Sequence, residues 1–293
     1  MRTLREAMLE VRADSLTNEG KILDAVVHSS ADTVANLITV EPWLVAQPII
    51  EAELLAELIS AGQRVTLPTM EKATISYRFD ATRPEAARWA ATQAGALIVE
   101  IVTQQRQVVK DLAARSAMGV LSPQQIARNL RDSIGLTREQ SLWVQNFRQN
   151  QITERMAAGA SFDQAWTASE SATERYHARI HRYRSETIAR TEILRASSEG
   201  RREAWQQGVE EGFIDSNWIK VWSTEFDDRT CPECEELDGE TAPVLGDFPE
   251  GDPPLHPNCR CTLILEEPPR AQDFSSLSDD ELEALIFDLM DEE

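Results

Sequence analysis

TCPEC at residues 230–234 and PPLHPNCRC at residues 253–261 hold all four cysteines of the chain and the last of its four histidines. Cys231 and Cys234 form a CxxC, and His256 and Cys259 repeat the same interval as HxxC, with Cys261 two positions on. A tight turn of this spacing brings two ligands to one edge of a tetrahedron, and a second such turn supplies the opposite edge. Five donors within 31 residues therefore predict a metal site with zinc as its structural cofactor, since zinc accepts mixed sulfur and nitrogen ligation without redox chemistry. The first choice of ligands is Cys231, Cys234, His256 and Cys259. Cys261 can replace His256 or Cys259, because alternate residues on a strand face the same side.

Two other uses of these cysteines compete with a metal site. Disulfides suit an oxidising compartment, and nothing in the opening MRTLREAMLE reads as an export signal. A redox CxxC sits at a strand-to-helix junction in a βαβ unit, and no such unit is legible here. The flanking sequence is short and strand-like instead. WIKVWST, residues 218–224, alternates β-branched and aromatic residues, RCTLILE at 260–266 is a second strand candidate, and Asp227-Asp228 and Asp238-Gly239 are turn formers. Trp205, Trp218 and Trp222 are expected in the core of this small module.

Outward from the module the chain reads as helix. Hydroxyl residues stand three before Glu or Gln at Thr82/Glu85, Ser122/Gln125, Thr137/Gln140, Ser161/Gln164 and Ser278/Glu281. Each is a capping-box pattern, in which the hydroxyl takes an orphan amide and the longer side chain reaches back. Apolar residues at helical spacing follow. Trp89, Leu97 and Ile101 mark a long helix to about Gly119; Ile126, Leu130 and Ile134 mark another ended by Gly135; Val144 and Phe147 belong to the helix after Thr137. Ile50, Leu54 and Leu58 predict a helix stopped by Gly62, and residues 65–79 read as extended. After Gly212 the helical character ends.

Of 293 residues, 29 are basic and 50 acidic, giving a net charge of −21 that is unevenly spread. Residues 266–293 carry eleven acids against Arg270. Within that tail Leu282, Leu285, Ile286, Leu289 and Met290 fall on one stripe, which predicts an amphipathic docking helix behind the Ser278 cap. Residues 175–202 reverse the balance, with eight arginines against three glutamates. Such a stripe can meet phosphate, but the reading preferred here is that arginines on a helix are solvated or paired with acids. His177 and His181, one turn apart among Arg175, Arg179, Arg182 and Arg184, are expected on a polar, basic face. No apolar run is long enough for a membrane span, so no membrane is expected as a partner.

The enzyme templates closest to this cysteine pattern fail on specific residues. A zinc deaminase needs H-x-E ahead of its PCxxC, yet the histidines are followed two on by Ser30, Arg179, Tyr183 and Asn258. A zinc protease helix needs H-E-x-x-H, which is absent. No catalytic residue is assigned. Asp227 and Asp228 are read as acceptors in a turn.

Three ordered motifs now become recognisable. YRSETIARTEILRASSEGRREAW at 183–205, centred on Ala189, Arg190, Thr191 and Glu192, resembles the segment around the ARTE motif of the phage Mu F-like minor head, or head morphogenesis, proteins. WIKVWSTEFDDRTCPECEELDG at 218–239 resembles that family's DDRTC-x-x-C…LDG block, and PPLHPNCRC its closing signature. With SPQQIARNLRDSIGLT at 122–137, the likeness spans roughly residues 82–265. Some members carry R-x-x-H where this chain has CxxC, which points to Cys234 over Cys231 as the constant contributor.

The resemblance implies a minor capsid protein inside the head of a tailed phage, associated with the portal vertex and acting in head assembly and genome packaging or delivery. Its implied partners are the portal protein, the scaffold or major capsid protein, and packaged DNA through non-specific contact. It implies assembly in the host cytoplasm and residence in the virion. Some members are ADP-ribosyltransferases through an added domain, and no such domain is expected in the 28 residues from Glu266 on. The expectation is no enzymatic activity, with an ADP-ribosyltransferase or metal-dependent nuclease as the alternative.

The expected fold is α+β and predominantly α-helical. Residues 1–80 form an N-terminal arm or small subdomain, 81–185 a helical body, 186–265 the zinc-stabilised β-rich module, and 266–293 the acidic tail. Within the ARTE motif, Arg190 and Glu192 point to different sides of a helix, so one is expected to anchor the helix to the module.

Overall fold

The computed structural model describes residues 41–65, 78–117, 135–225 and 227–268, together with 24, 129, 132 and 133. It is mostly helical, with one small antiparallel sheet. The capping patterns at Ser122 and Ser278, the Ile126–Ile134 helix, most of the 65–79 stretch and the amphipathic tail stripe lie outside the described residues.

A short turn of helix, α1 (Glu41–Leu44), leads into α2 (Gln47–Gln63), where Pro48 sits in the first turn and Ile50, Leu54 and Leu58 are fully buried. The helix ends at Gln63, one residue past the expected Gly62. Gly62 lies under the ring of Phe79, and a Cβ there would stand 2.7 Å from a ring carbon. α3 (Pro84–Ala117) buries Ala90, Ala94, Leu97, Ile98, Ile101 and Val102 along one face. Its start departs from the expected box. The Thr82 amide and hydroxyl both donate to Asp80 Oδ1, and Glu85 turns to Arg88. Pro84 supplies no amide to cap, and Asp80 offers Thr82 a nearer acceptor, so an Asx turn replaces the box.

α4 (Arg138–Ala157) and α5 (Phe162–Glu210) each begin with the full reciprocal box, at Thr137/Gln140 and Ser161/Gln164. Between them Gly159 adopts φ +95°, which closes the hairpin. α5 is 49 residues long, about 74 Å at 1.5 Å per residue, and is the spine of the molecule. α4 packs beside its N-terminal half, with Phe147 stacked on Tyr176 at 4.5 Å between centroids. α2 packs beside its C-terminal half, where Ala196, Gly200 and Ala204 recur every four residues and are buried. A Cβ on Gly200 would stand 2.1 Å from the Leu58 carbonyl oxygen, so the bare α-carbon lets the two backbones touch.

His177 and His181 do not lie on a basic face. Both are buried, at 3 and 4% exposure, with their rings 6.2 Å apart, while Arg175, Arg179 and Arg182 face outward. Helical spacing groups the histidines with Ala165, Ser169, Thr173 and Ser185 on the buried side of α5, and this periodicity outweighs the charge of their sequence neighbours.

The chain leaves α5 at Gly212, φ +77°, and builds the sheet. β1 (Ile219–Ser223) is central, with β2 (Thr241–Pro243) on one side and β3 (Thr262–Glu266) on the other, both antiparallel. Trp205, Trp218 and Trp222 are in the core of this module, as expected, with Val244, Phe248 and Leu263. The inward face of β1 carries Lys220 and Trp222. Lys220 is 1% exposed, and its Nζ donates to both Asp252 oxygens at 2.6 and 2.7 Å, beneath the Phe248 ring.

Candidate metal centre

The first knuckle is made by the sequence around Cys231. Cys231 is the N-cap of a one-turn helix, α6 (Pro232–Glu236), and Pro232 fits the first position, where no amide acceptor is needed. The Cys234 amide reaches back to the Cys231 carbonyl at 3.1 Å and to its sulfur at 3.4 Å. Both thiols thereby face one side. The second knuckle repeats the pattern, with the Cys259 amide donating to the His256 carbonyl at 3.1 Å. Asn258 inside it adopts φ 62°, a left-handed conformation that asparagine tolerates better than most residues.

The two knuckles meet. His256 Nε2 lies 3.1 Å from both the Cys231 and Cys234 sulfurs, and Cys234 Sγ lies 4.0 Å from Cys259 Sγ. The donor atoms of Cys231, Cys234 and His256 all fall within 4.8 Å of one another, and so do those of Cys234, Cys259 and Cys261. Cys234 is common to both groups. A tetrahedral ion with bonds of about 2.3 Å to sulfur and 2.0 Å to nitrogen has edges of roughly 3.6–3.8 Å, and the observed contacts bracket that range. All five predicted residues are thus brought together, and the cluster could hold a metal ion.

The donor set fits a thiophilic metal. Cys234, Cys259 and Cys261 are buried, and burial pushes the Cys234 and Cys261 thiols above the ordinary thiol range when no cation is there to favour the thiolate. The buried Trp222 Nε1 has no oxygen or nitrogen acceptor and stands beside the Cys261 sulfur. A Cys261 thiolate held by a metal would be an acceptor for this indole N–H. His256 Nδ1 lies 3.0 Å from the Pro257 carbonyl, leaving Nε2 with its lone pair toward the sulfurs.

A third connection ties the loops together. Asp227 accepts the Arg229 amide at 2.9 Å and the Arg260 guanidinium through both of its oxygens. Arg260 stands between Cys259 and Cys261, so its carboxylate partner links the loop before the first knuckle to the second. The Arg260 hydrogen bonds, helped by the Arg229 amide, hold the Asp227 carboxyl well below the usual carboxylate range.

Docking onto the spine uses a residue that sequence reasoning passed over. Thr191 Oγ1 accepts the Asn258 amide at 3.2 Å, and Asn258 Nδ2 donates to Thr187 Oγ1 at 3.4 Å. The expectation that Arg190 or Glu192 anchors the helix to the module is corrected. Arg190 is exposed, and Glu192 is buried toward α3, where it accepts from Gln93 at 2.7 Å and pairs with Arg195. The threonine between them, one turn from Thr187, has the correct facing. Beside this joint a cleft of about 530 Å³ is bounded by Ile101, Arg184, Thr191, Glu192 and His256. Arg184 reaches it from a buried position, donating to the Gly135 carbonyl and Gln104, and desolvation lowers its pKa to about 10.

Among the described residues no helix is long and apolar enough to cross a membrane. Comparison with protein families finds one model, described as Phage Mu protein F like protein, matching residues 107–264, more than half of the chain. That span runs from within α3 to β3 and contains the ARTE segment and both knuckles. No curated protein and no solved structure matches.

Proposed function

The chain belongs to the family of phage Mu protein F like proteins and is a phage head morphogenesis protein; from that premise we propose that it is a minor capsid component at the portal vertex, inside the head, with a structural zinc and no turnover of its own. It acts there in head assembly and in genome packaging or delivery. Its partner is the portal protein, with scaffold or major capsid protein as further contacts during assembly in the host cytoplasm.

One observation carries the non-catalytic reading. The motif residues are occupied by partners within the fold: Asp227 by Arg260, Thr191 by Asn258, Glu192 by Gln93 and Arg195. An acid or base poised for chemistry would face a reactant site with its lone pairs available. Here these groups join loop to loop, helix to helix and loop to helix, which is what a docking scaffold needs. Zinc with Cys231, Cys234, His256 and the Cys259–Cys261 strand start would close the module, whose three short strands offer little core of their own.

Co-expression with the cognate portal protein and sizing of the complex tests the partner. Co-elution at a fixed stoichiometry is expected. Failure to co-elute, or NAD consumption by the purified chain that Glu192→Gln abolishes, would replace this reading with the enzymatic one. Heads purified with and without the gene product, scored for portal-bound copies and infectivity, test the place in assembly.

A further inference from the structure

The eight arginines between 175 and 202 separate into two groups once the helix is seen in its surroundings. Arg184 and Arg201 are largely buried, Arg195 pairs with Glu192, and Arg202 pairs with Glu199. The remaining four, Arg175, Arg179, Arg182 and Arg190, are exposed. Among the described residues none of them is ion-paired with a carboxylate. Arg175 donates to the Ser171 hydroxyl, and Arg179 lies over the Tyr176 ring. At about 100° per residue these four fall within an arc of roughly 80° and extend about 22 Å along α5. Glu186 is the one acid in that arc. The helix that carries them is continuous and clamped by α4 on one side and α2 further on, so the row is held straight.

We propose that this row is a sequence-independent contact for the sugar-phosphate backbone of double-stranded DNA. The row's length of about 22 Å spans roughly six phosphates of one strand, at about 3.4 Å each along the duplex axis. Guanidinium forks also match phosphate oxygens bidentately. The overall charge of −21 opposes DNA at long range. At physiological ionic strength the Debye length is only about 8 Å, so local charge decides what happens at a contact surface. The inference rests on the local charge and geometry of α5, independently of portal binding.

Fluorescence anisotropy of the full-length chain with a labelled duplex of mixed sequence, across a salt series, tests it. Four phosphate contacts give a slope of log K against log salt near −3.6, and affinity falls on the order of 100-fold between about 50 and 200 mM salt. The combined variant Arg175→Gln, Arg179→Gln, Arg182→Gln, Arg190→Gln should lose most of that slope. A charge-matched control, Arg64→Gln, Arg83→Gln, Arg88→Gln, Arg138→Gln, removes four arginines that are already paired with acids and should keep it. Circular dichroism checks that both variants retain their helix. No binding by the full-length chain at about 50 mM salt overturns the proposal, as does equal loss in the control. So does a duplex affinity that appears only after residues 269–293 are removed, since the row would then be serving the chain's own acidic tail.

Discussion

Asp227 and Arg260 form a two-point ion pair that joins the loop leading into Cys231 to the residue between Cys259 and Cys261. The pair is about 30% exposed on each side, so its direct contribution to folding is small. Its consequence is positional: both knuckles are held at one separation before any metal arrives.

Asp227→Asn keeps the shape and removes the charge. Its expected effect is weaker metal retention, roughly tenfold in a chelator competition, with the global melting temperature almost unchanged. Asp227 has a folded pKa below its unfolded value, so the clamp is complete above about pH 4 and is lost as pH falls through the lower folded value. Retention equal to wild type in Asp227→Asn would show that the knuckles need no clamp.

Metal content gives the second prediction. Purified protein should carry about one zinc per chain, and Cys234→Ser should lose it more completely than Cys231→Ser, because Cys234 is shared by both donor groups. Thiolate ligands must shed protons to bind, so loading releases acid and fails as pH falls. Chelation should unfold the sheet and leave the α-helical signal of α2 to α5 largely intact. A metal-free protein with an unchanged melting profile would contradict the structural zinc.

How much of this was legible beforehand depended on range. Cysteine spacing announced both knuckles, and the boxes at Thr137 and Ser161 marked two helix starts to the residue, because each is a relation across three or four positions. Relations across the chain were not legible. Thr191 gave no signal of its docking role, since Asn258 lies 67 positions away. The burial of Lys220 was not legible either, since Asp252, the partner that makes it tolerable, lies 32 positions away. His177 and His181 were misplaced because the surrounding arginines suggested solvent, whereas the small residues at 165, 169, 173 and 185 already traced the buried face.

Two glycines in long helices make a matched test of packing. Gly200→Ala places a methyl group against the Leu58 carbonyl, a rigid backbone atom, and requires α2 to move away from α5. The expected loss is about 1–3 kcal/mol in denaturant unfolding. Gly95→Ala, inside α3, meets nothing within 4 Å and should gain up to about 1 kcal/mol from helix propensity. Equal effects of the two substitutions would mean that the α2–α5 contact is looser than described.

The last prediction concerns the joint between α4 and the residues before it. Arg148 donates from Nε and Nη2 to the two oxygens of Asp132, each at 2.7 Å, and both side chains are under a tenth exposed. Trp166 lies 4.5 Å from the guanidinium carbon, so the cation is covered by an aromatic face as well. Removing one partner leaves the other charge buried without compensation, which costs about 3–5 kcal/mol. Each single variant leaves one orphan charge, but Asp132→Ala is expected to destabilise more than Arg148→Met, because it also leaves a cavity whereas methionine fills the space. The double variant Asp132→Ala, Arg148→Met should recover part of the loss, since neither orphan charge remains. Urea unfolding of the four proteins measures the coupling. If the double variant is as unstable as the sum of the singles, the pair acts independently and the buried ion pair is not what fixes this end of the spine.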